Sequence, residues 1–135
     1  MTNKATLRAT LSAEERLKSR AAIDFIFKEG KTKFAHPLKL YYYIEPNSID
    51  KMVLKFGISV PKSLHRKAVR RNRLKRKVRE SYRNSKTSFL QDYHHLGLNV
   101  SLFFIYIDKE GLEVKIESAI HSLLKMVAKE LNREK

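Results

Sequence analysis

The residues with the clearest chemistry are the cations between positions 62 and 86, in the stretch KSLHRKAVRRNRLKRKVRESYRNSK. This stretch contains twelve Lys and Arg and a single acidic residue, Glu80, so its formal charge is +11, while the whole chain carries +15. Guanidinium and ammonium groups at this density bind phosphate oxygens and repel one another when no anion is present. The stretch therefore predicts a binding surface for a polyanion.

The same stretch has the spacing of an α-helix that packs against the rest of the protein. Leu74, Val78 and Tyr82 recur every four residues and would form one apolar seam, with the cations left on the open sides. A helix that only keeps the protein in solution is disfavoured, because such surfaces normally mix both signs of charge. A membrane surface is the other alternative, but the seam is narrow and lacks Trp, Phe and clustered Leu. Nucleic acid is favoured.

No set of residues has the spacing of a catalytic or metal site. His94 and His95 form an adjacent pair, but no carboxylate lies at ligand spacing from them. The acids are too scattered to hold a pair of Mg²⁺ ions, and residues 30–34 (GKTKF) lack P-loop spacing. The chain has no Cys, which excludes disulfides and thiolate zinc sites. We therefore expect a binding protein with no catalytic residue and no metal ligand of its own.

Length and composition are typical of one globular domain. The chain has 135 residues, of which 42% are hydrophobic. No apolar run approaches the eighteen or so residues of a membrane span, and the N-terminus lacks a signal-peptide core. We expect a cytoplasmic protein in which residues 1–11 form a flexible N-terminal leader and residues 12–135 form the binding domain.

The first predicted element of the domain is a helix near the N-terminus. Ser12 and Glu15 have the spacing of a capping box, which predicts that the helix begins there and ends at Gly30 as its C′ residue. Its second half, residues 21–27, is apolar on nearly all sides. Deep burial is the favoured interpretation, and a face that lines a ligand groove is the alternative.

The rest of the chain predicts strands and two further helices. Residues 38–44 and 52–60 read as strands antiparallel to each other, and residues 98–107 read as a largely buried strand. A polar loop over residues 84–97 would follow the basic helix. A last helix keeps its apolar spacing up to Leu131, although its start is ambiguous because residues 112–116 also alternate like a strand.

One face of the first predicted strand mixes aromatic side chains with a cation. Alternation puts Lys39, Tyr41 and Tyr43 opposite the apolar residues of that strand, and Gly57 and Ser59 on the second strand would open a shallow trough. Such a face can stack unpaired bases and hold phosphates; half-exposed tyrosines on an ordinary sheet are the alternative. Because the basic helix has no partner helix just upstream, as a helix-turn-helix would, RNA fits better than duplex DNA.

The basic helix resembles the RNR motif of the bacterial ribonuclease P protein family. The match rests on Arg71-Asn72-Arg73-Leu74-Lys75-Arg76, with Arg79 and Tyr82 following. Residues 57–62 (GISVPK) resemble the strand that leads into the motif in this family. Upstream blocks match in order and spacing at residues 16–18, 27–30 and 40–41. The resemblance covers roughly residues 12 to 107, and the last helix agrees in pattern only.

The resemblance implies an α+β fold in a single domain with α-β-β-β-α-β-α order. This fold is similar to domain 2 of ribosomal protein S5 and has a left-handed βαβ crossover around the basic helix. The implied function is that of the protein subunit of ribonuclease P, which binds the catalytic RNA and the 5′ leader of precursor tRNA. That RNA, with Mg²⁺ bound mainly to it, would carry out hydrolysis.

The expected partners are therefore ribonuclease P RNA and precursor tRNA, with no membrane and no protein partner. A ribosomal or RNA-chaperone type protein with no dedicated substrate is the alternative.

The charge pattern and the resemblance together assign the site residues. The RNA-binding residues are Lys62, Arg66, Arg70, Arg71, Asn72, Arg73, Lys75, Arg76 and Arg79. The resemblance implies that Ile23, Phe27, Lys39 and Tyr41 form the groove for the leader. Two positions depart from the family pattern: an aromatic residue usually stands at Ile23, and Ser63 interrupts a usual pair of lysines after an unusual Pro61. They predict weaker stacking in the groove and one missing RNA contact.

Overall fold

The computed structural model describes residues 16–17, 19–45, 53–93 and 97–133. Its elements, in chain order, are α1 (Arg20–Glu29), β1 (Lys31–Ala35), β2 (Leu38–Glu45), β3 (Val53–Ser59), α2 (Ala68–Tyr93), β4 (Asn99–Tyr106) and α3 (Glu113–Arg133). This is the α-β-β-β-α-β-α order that the resemblance implied. The predicted N-terminal leader, the Ser12 capping box and the pair His94-His95 lie outside the described residues.

The four strands form one sheet in the order β1-β2-β4-β3. β4 pairs antiparallel with β2 and parallel with β3, so the β3-α2-β4 connection is a crossover between parallel neighbours. The strands predicted as an antiparallel pair do run in opposite directions, but β4 lies between them. Leu102, Phe103 and Phe104 of β4 are all buried, although consecutive side chains point to opposite faces of the sheet. A strand that is apolar on both faces suits an internal position, which β4 occupies between β2 and β3. The left hand of the crossover stays a prediction.

Helices cover the two faces of the sheet unequally. α2 and α3 pack on each other and on the face that carries Leu38, Leu40 and Tyr42, each at most 1% exposed. α1 crosses the opposite face and buries Ile26 fully. The face under α2 and α3 is the hydrophobic core, and the face under α1 stays partly open.

α1 begins at Arg20 rather than at the predicted Ser12. Ser19 caps it by accepting a hydrogen bond from the Ala22 N–H at 3.3 Å. Before the cap, Arg16 forms a parallel bridge with Phe56, and the Leu17 N–H donates to the Phe56 carbonyl at 2.8 Å. Arg16 and Leu17 are thus paired with the edge of β3 and do not belong to α1.

Gly30 ends α1 as predicted, but in an extended conformation (φ −79°, ψ 167°) rather than a left-handed one. A Cβ at this position would lie 2.5 Å from the Ile26 carbonyl oxygen and 2.7 Å from the Tyr42 carbonyl oxygen. A glycine is therefore needed for the close approach of two backbones, not for a positive φ.

The loop predicted for residues 84–97 was wrong over its first ten residues, because α2 runs to Tyr93. Residues 84–88 are polar in composition. Beyond them, Phe89 and Leu90, each 6% exposed, continue the buried side of the helix into the core formed with α3. Burial of these two residues keeps the helix going through a segment that reads as a loop. Of residues 112–116, which also alternate like a strand, residues 113–116 form the first turn of α3.

Candidate nucleic-acid interface

The basic helix α2 is fixed to the protein by the seam that its spacing predicted. Leu74, Val78 and Tyr82 are 1%, 0% and 0% exposed. The Tyr82 ring stacks on Phe56 of β3, with ring centroids 4.4 Å apart. Each buried aliphatic side chain stabilises the packing by about 1.5–3 kcal/mol. The helix is therefore held at a fixed rotation, and its outward residues are held with it.

The outward side of α2 is a shallow concave strip of cations, which we call the outer strip. It is lined by Val69, Asn72, Arg73, Arg76 and Arg79. All five residues are exposed. Positions three and four apart share one helix face, so the guanidinium groups point to the same side. The strip presents several donors to one ligand.

The protein's own acids compensate the outer strip weakly. Arg73 Nη1 lies 3.9 Å from Glu113 Oε1, and the two side chains are 59% and 39% exposed. An ion pair that long and that open to solvent contributes little. The strip thus keeps its charge for an external polyanion, such as a ribose-phosphate chain.

Arg71 differs from its neighbours because its guanidinium also binds within the protein. Its Nη1 donates to the carbonyl oxygens of His65 at 3.0 Å and of Arg66 at 2.7 Å. These bonds tie the first turn of α2 to the segment that precedes the helix. The structure therefore gives Arg71 a positioning contact beside the RNA contact predicted from the motif.

The segment before α2 rests on the β4-α3 connection through a buried histidine. His65 is 3% exposed, its Nε2 lies 2.6 Å from the Asp108 carbonyl oxygen, and its ring contacts Tyr106. The Asp108 carboxylate accepts from the Glu110 N–H at 2.7 Å and lies 2.6 Å from His36 Nε2. The Glu110 bond, followed by His36, holds the pKa of Asp108 below its ordinary value. A single histidine in a polar stretch has no pattern, so the sequence could not reveal this anchor.

Tyr106 closes the same connection. Its hydroxyl donates to the Glu110 carbonyl at 2.5 Å and accepts from the Leu112 N–H at 2.7 Å. Burial raises the pKa of this hydroxyl above its ordinary value. The turn that supports α2 is thus itself held by side-chain contacts.

On the other face of the sheet, three of the four predicted groove residues meet. The Phe27 ring centroid lies 4.8 Å from that of Tyr41 and 5.3 Å from that of Phe103. Lys39 Nζ lies 4.9 Å from the centroid of the Tyr41 ring. Ile23 is one helical turn before Phe27 and is half-buried. Phe27 is 43% exposed, so the expected deep burial of residues 21–27 was wrong for this residue. That this side of the helix lines a ligand groove stays a prediction.

The strand register extends this surface across the sheet, and we call the open side beside Phe27 the groove face. One row across the strands consists of Thr32, Tyr41, Phe103 and Gly57, and the next consists of Phe34, Lys39, Ile105 and Ser59. Paired residues share a face. A Cβ on Gly57 would lie 2.4 Å from Phe103 Cδ1, so the missing side chain gives the ring its space. Sequence reasoning missed Phe103, although its parity in the third predicted strand would have identified it.

The remaining predicted RNA-binding residues lie around the start of α2. Lys62 and Arg66 are exposed and precede the helix, which was expected to include Arg66. Arg70 is exposed on the first turn, where a Cβ added to Gly111 would lie 3.0 Å from its Nη2. Lys75 is half-buried. The structure thus places these cations on one end and one side of α2, while the groove residues lie on α1 and β2.

Within the described ranges, no helix is long and apolar enough to cross a bilayer. No cluster of three His, Cys, Asp or Glu side chains in those same ranges is arranged to hold a metal ion.

Known proteins match this chain over most of its length. The family model described as Ribonuclease P matches residues 11–129. A ribonuclease P protein component from Porphyromonas gingivalis is 42% identical over 131 residues, which covers 95% of this chain and 92% of that protein. A solved RNase P protein from Staphylococcus aureus is 26% identical with a TM-score of 0.61, covering 87% and 92% of the two chains. The RNase P protein from Thermotoga maritima is 28% identical with a TM-score of 0.54, covering 88% and 96%.

Proposed function

Because the chain belongs to the ribonuclease P protein family, we propose that its groove face holds the 5′ leader of precursor tRNA while α2 binds the RNA subunit. The protein is the protein subunit of ribonuclease P and acts in tRNA processing, with ribonuclease P RNA as its partner.

The outer strip and the cations at the start of α2 are the proposed contact with the RNA subunit. Phosphate contacts of this kind position an RNA without reading its sequence. The support is that Arg76 and Arg79 project from a helix whose backbone is held by buried residues, so binding orders their side chains but not the backbone that carries them. A cytoplasmic location, predicted from the sequence, belongs to the same proposal, because the RNA partner and precursor tRNA would be met there.

The groove face is the proposed contact with the leader, and one observation carries it: Phe27, Tyr41 and Phe103 form an aromatic cluster beside Lys39 on a partly open sheet face. Unpaired bases stack on aromatic rings regardless of sequence, and a neighbouring ammonium group binds their phosphates. Ile23 adds an apolar contact to this cluster rather than a stacking surface.

Hydrolysis is assigned in this proposal to the RNA, with Mg²⁺ bound mainly to it. The protein's part is to bind the leader and hold it on the groove face. We propose no catalytic residue in the protein.

The test is reconstitution with ribonuclease P RNA at low Mg²⁺, following leader removal from precursor tRNA and the affinity for precursor and mature tRNA. Tyr41→Ala is expected to weaken binding of precursor tRNA by about 5- to 150-fold, the usual range for one stacked base, and to leave mature tRNA nearly unchanged. Tyr43→Ala is the matched control, because Tyr43 lies on the same strand but packs against Phe25. Equal losses for the two RNAs would contradict the leader contact.

A further inference from the structure

We propose that the leader groove continues to the edge strand β1, where Phe34 stacks on a further base of the leader, beyond the one at Tyr41. This inference rests on the proposed function of the groove face. Phe34 is 57% exposed, more than Phe25 or Phe27. A single exposed apolar residue is ordinary. Phe34 differs because its strand register places it on a binding surface.

The register puts Phe34 directly opposite Lys39 on the neighbouring strand. Paired residues of an antiparallel ladder share a face, so Phe34 points to the side of Lys39 and Tyr41. The parity of β1 agrees, because Lys31 Nζ forms an ion pair at 3.1 Å with Glu130 of α3, on the other face of the sheet. Phe34 has the parity opposite to that of Lys31 and therefore belongs to the groove face.

Phe34 lies at the right separation to serve a separate base. Tyr41 is paired with Thr32, so Phe34 is its diagonal neighbour at about 7–8 Å between Cα atoms. That exceeds the spacing of stacked bases, about 3.4 Å per strand, so two unstacked bases would reach the two rings. Lys39 lies between them, over the Tyr41 ring, where a phosphate linking those bases would pass.

The surroundings leave the Phe34 ring open to such a base. β1 is the outer strand of the sheet, and the groove face ends there. The His36 ring lies beside it, with centroids 6.3 Å apart, and His36 is held by Asp108. At the opposite edge, Arg16 and Leu17 extend along β3. An RNA strand that crosses the groove face from Ser59 on β3 to Phe34 on β1 passes over three spacings between neighbouring β-strands, about 14 Å in total.

The chemistry selects single-stranded RNA as the occupant. The row that contains Phe34 also contains Lys39, and the chain carries a net charge of +15, which attracts a polyanion to this surface. An aromatic face beside an ammonium group binds a nucleotide through its base and its phosphate together. Phe34 thus lengthens the stretch of leader that the protein contacts.

The experiment uses the holoenzyme assembled with ribonuclease P RNA and precursor tRNAs whose leaders range from none to about ten nucleotides. Phe34→Thr keeps strand propensity but removes the ring. We expect it to bind short-leader and leaderless RNA as the unmodified protein does, and to lose about 5-fold or more in affinity once the leader reaches β1. Phe34→Tyr should restore the affinity, whereas Phe34→Leu, which keeps an apolar side chain without a π-face, should not.

Phe25→Ala is the matched control, because Phe25 is 45% exposed but its ring packs against Tyr43. It should leave the dependence on leader length unchanged. An equal loss for Phe34→Thr at every leader length, the leaderless RNA included, would overturn the proposal in favour of a structural role. No loss at any length, while Tyr41→Ala still discriminates leaders, would refute the Phe34 site and leave the groove standing. If neither Phe34→Thr nor Tyr41→Ala changes how affinity depends on the leader, the groove itself is refuted.

Discussion

Arg71 offers the sharpest test of how the basic helix works, because its guanidinium is used inside the protein. One nitrogen donates to two backbone carbonyls, at 3.0 Å and 2.7 Å. Hydrogen bonds from a charged donor contribute about 1.5–3 kcal/mol, and one of these two is exposed. We therefore expect Arg71→Ala to lower the free energy of unfolding by about 2 kcal/mol. For a domain of this size that corresponds to a fall in Tm of about 6–8 °C.

Arg76→Ala is the matched variant, because Arg76 lies on the outer strip and is exposed. Its free energy of unfolding should change by no more than about 0.5 kcal/mol, so its Tm should stay nearly the same. Its salt dependence should change instead: the slope of log affinity for ribonuclease P RNA against log salt should fall by about 0.7–0.9, the value for one neutralised phosphate. Arg71→Ala should lower that slope by less, because part of its guanidinium is already used by the backbone carbonyls.

The assay is thermal unfolding of each variant together with RNA affinity measured over a series of salt concentrations. Arg71→Lys separates charge from geometry, because Lys keeps the charge without the planar fork. It should lower Tm and keep the slope. If Arg71→Ala unfolds at the unmodified temperature and its slope falls by about one, then Arg71 is a phosphate ligand and the positioning role is refuted.

Two other predictions concern the groove face and the support of α2. Gly57→Ala should destabilise the fold by about 1–3 kcal/mol, because the new Cβ would lie 2.4 Å from the Phe103 ring. It should also weaken binding of the leader. Chemical denaturation measures the stability and precursor tRNA affinity measures the binding; an unchanged denaturation midpoint would contradict the prediction. The folded-state pKa of Asp108 is lowered from 3.8, so its contribution to stability is present above that value and lost as pH falls through the folded pKa. Unfolding free energies measured from neutral pH to below about pH 4 should therefore fall more for the unmodified protein than for Asp108→Asn, and parallel curves would contradict this.

Regular periodicity made much of the fold predictable. The four-residue spacing of Leu74, Val78 and Tyr82 predicted which side of α2 is buried, and alternation predicted the two faces of β2. Both signals are local, because each depends only on which side chains of one element face the core. The family resemblance supplied the element order.

The errors came where contacts between distant segments decide the structure. Nothing in residues 38–60 indicates that β4 inserts between β2 and β3, since that choice depends on a strand about forty residues further on. The capping box at Ser12 was a plausible helix start. The pairing of Arg16 with β3 keeps Arg16 out of α1, which begins at Arg20.

At the site, the residue types were predictable but their partners were not. Tyr41 and Lys39 followed from alternation, whereas Phe34 lies in a five-residue edge strand that its sequence, KTKFA, does not distinguish from a loop. Arg71 was assigned to RNA because its type and position match the motif. Its bonds to two backbone carbonyls depend on how residues 65–66 turn, and backbone geometry of that kind is not visible in a sequence.

The central place of β4 has a consequence for synthesis on the ribosome. Until residues 99–106 have left the exit tunnel, β2 and β3 both lack β4 as a neighbour, and α2, although already made, has no complete sheet to rest on. Unpaired strand edges invite wrong association. A nascent chain that stops before β4 therefore exposes its polycationic helix and two unpaired strand edges at once.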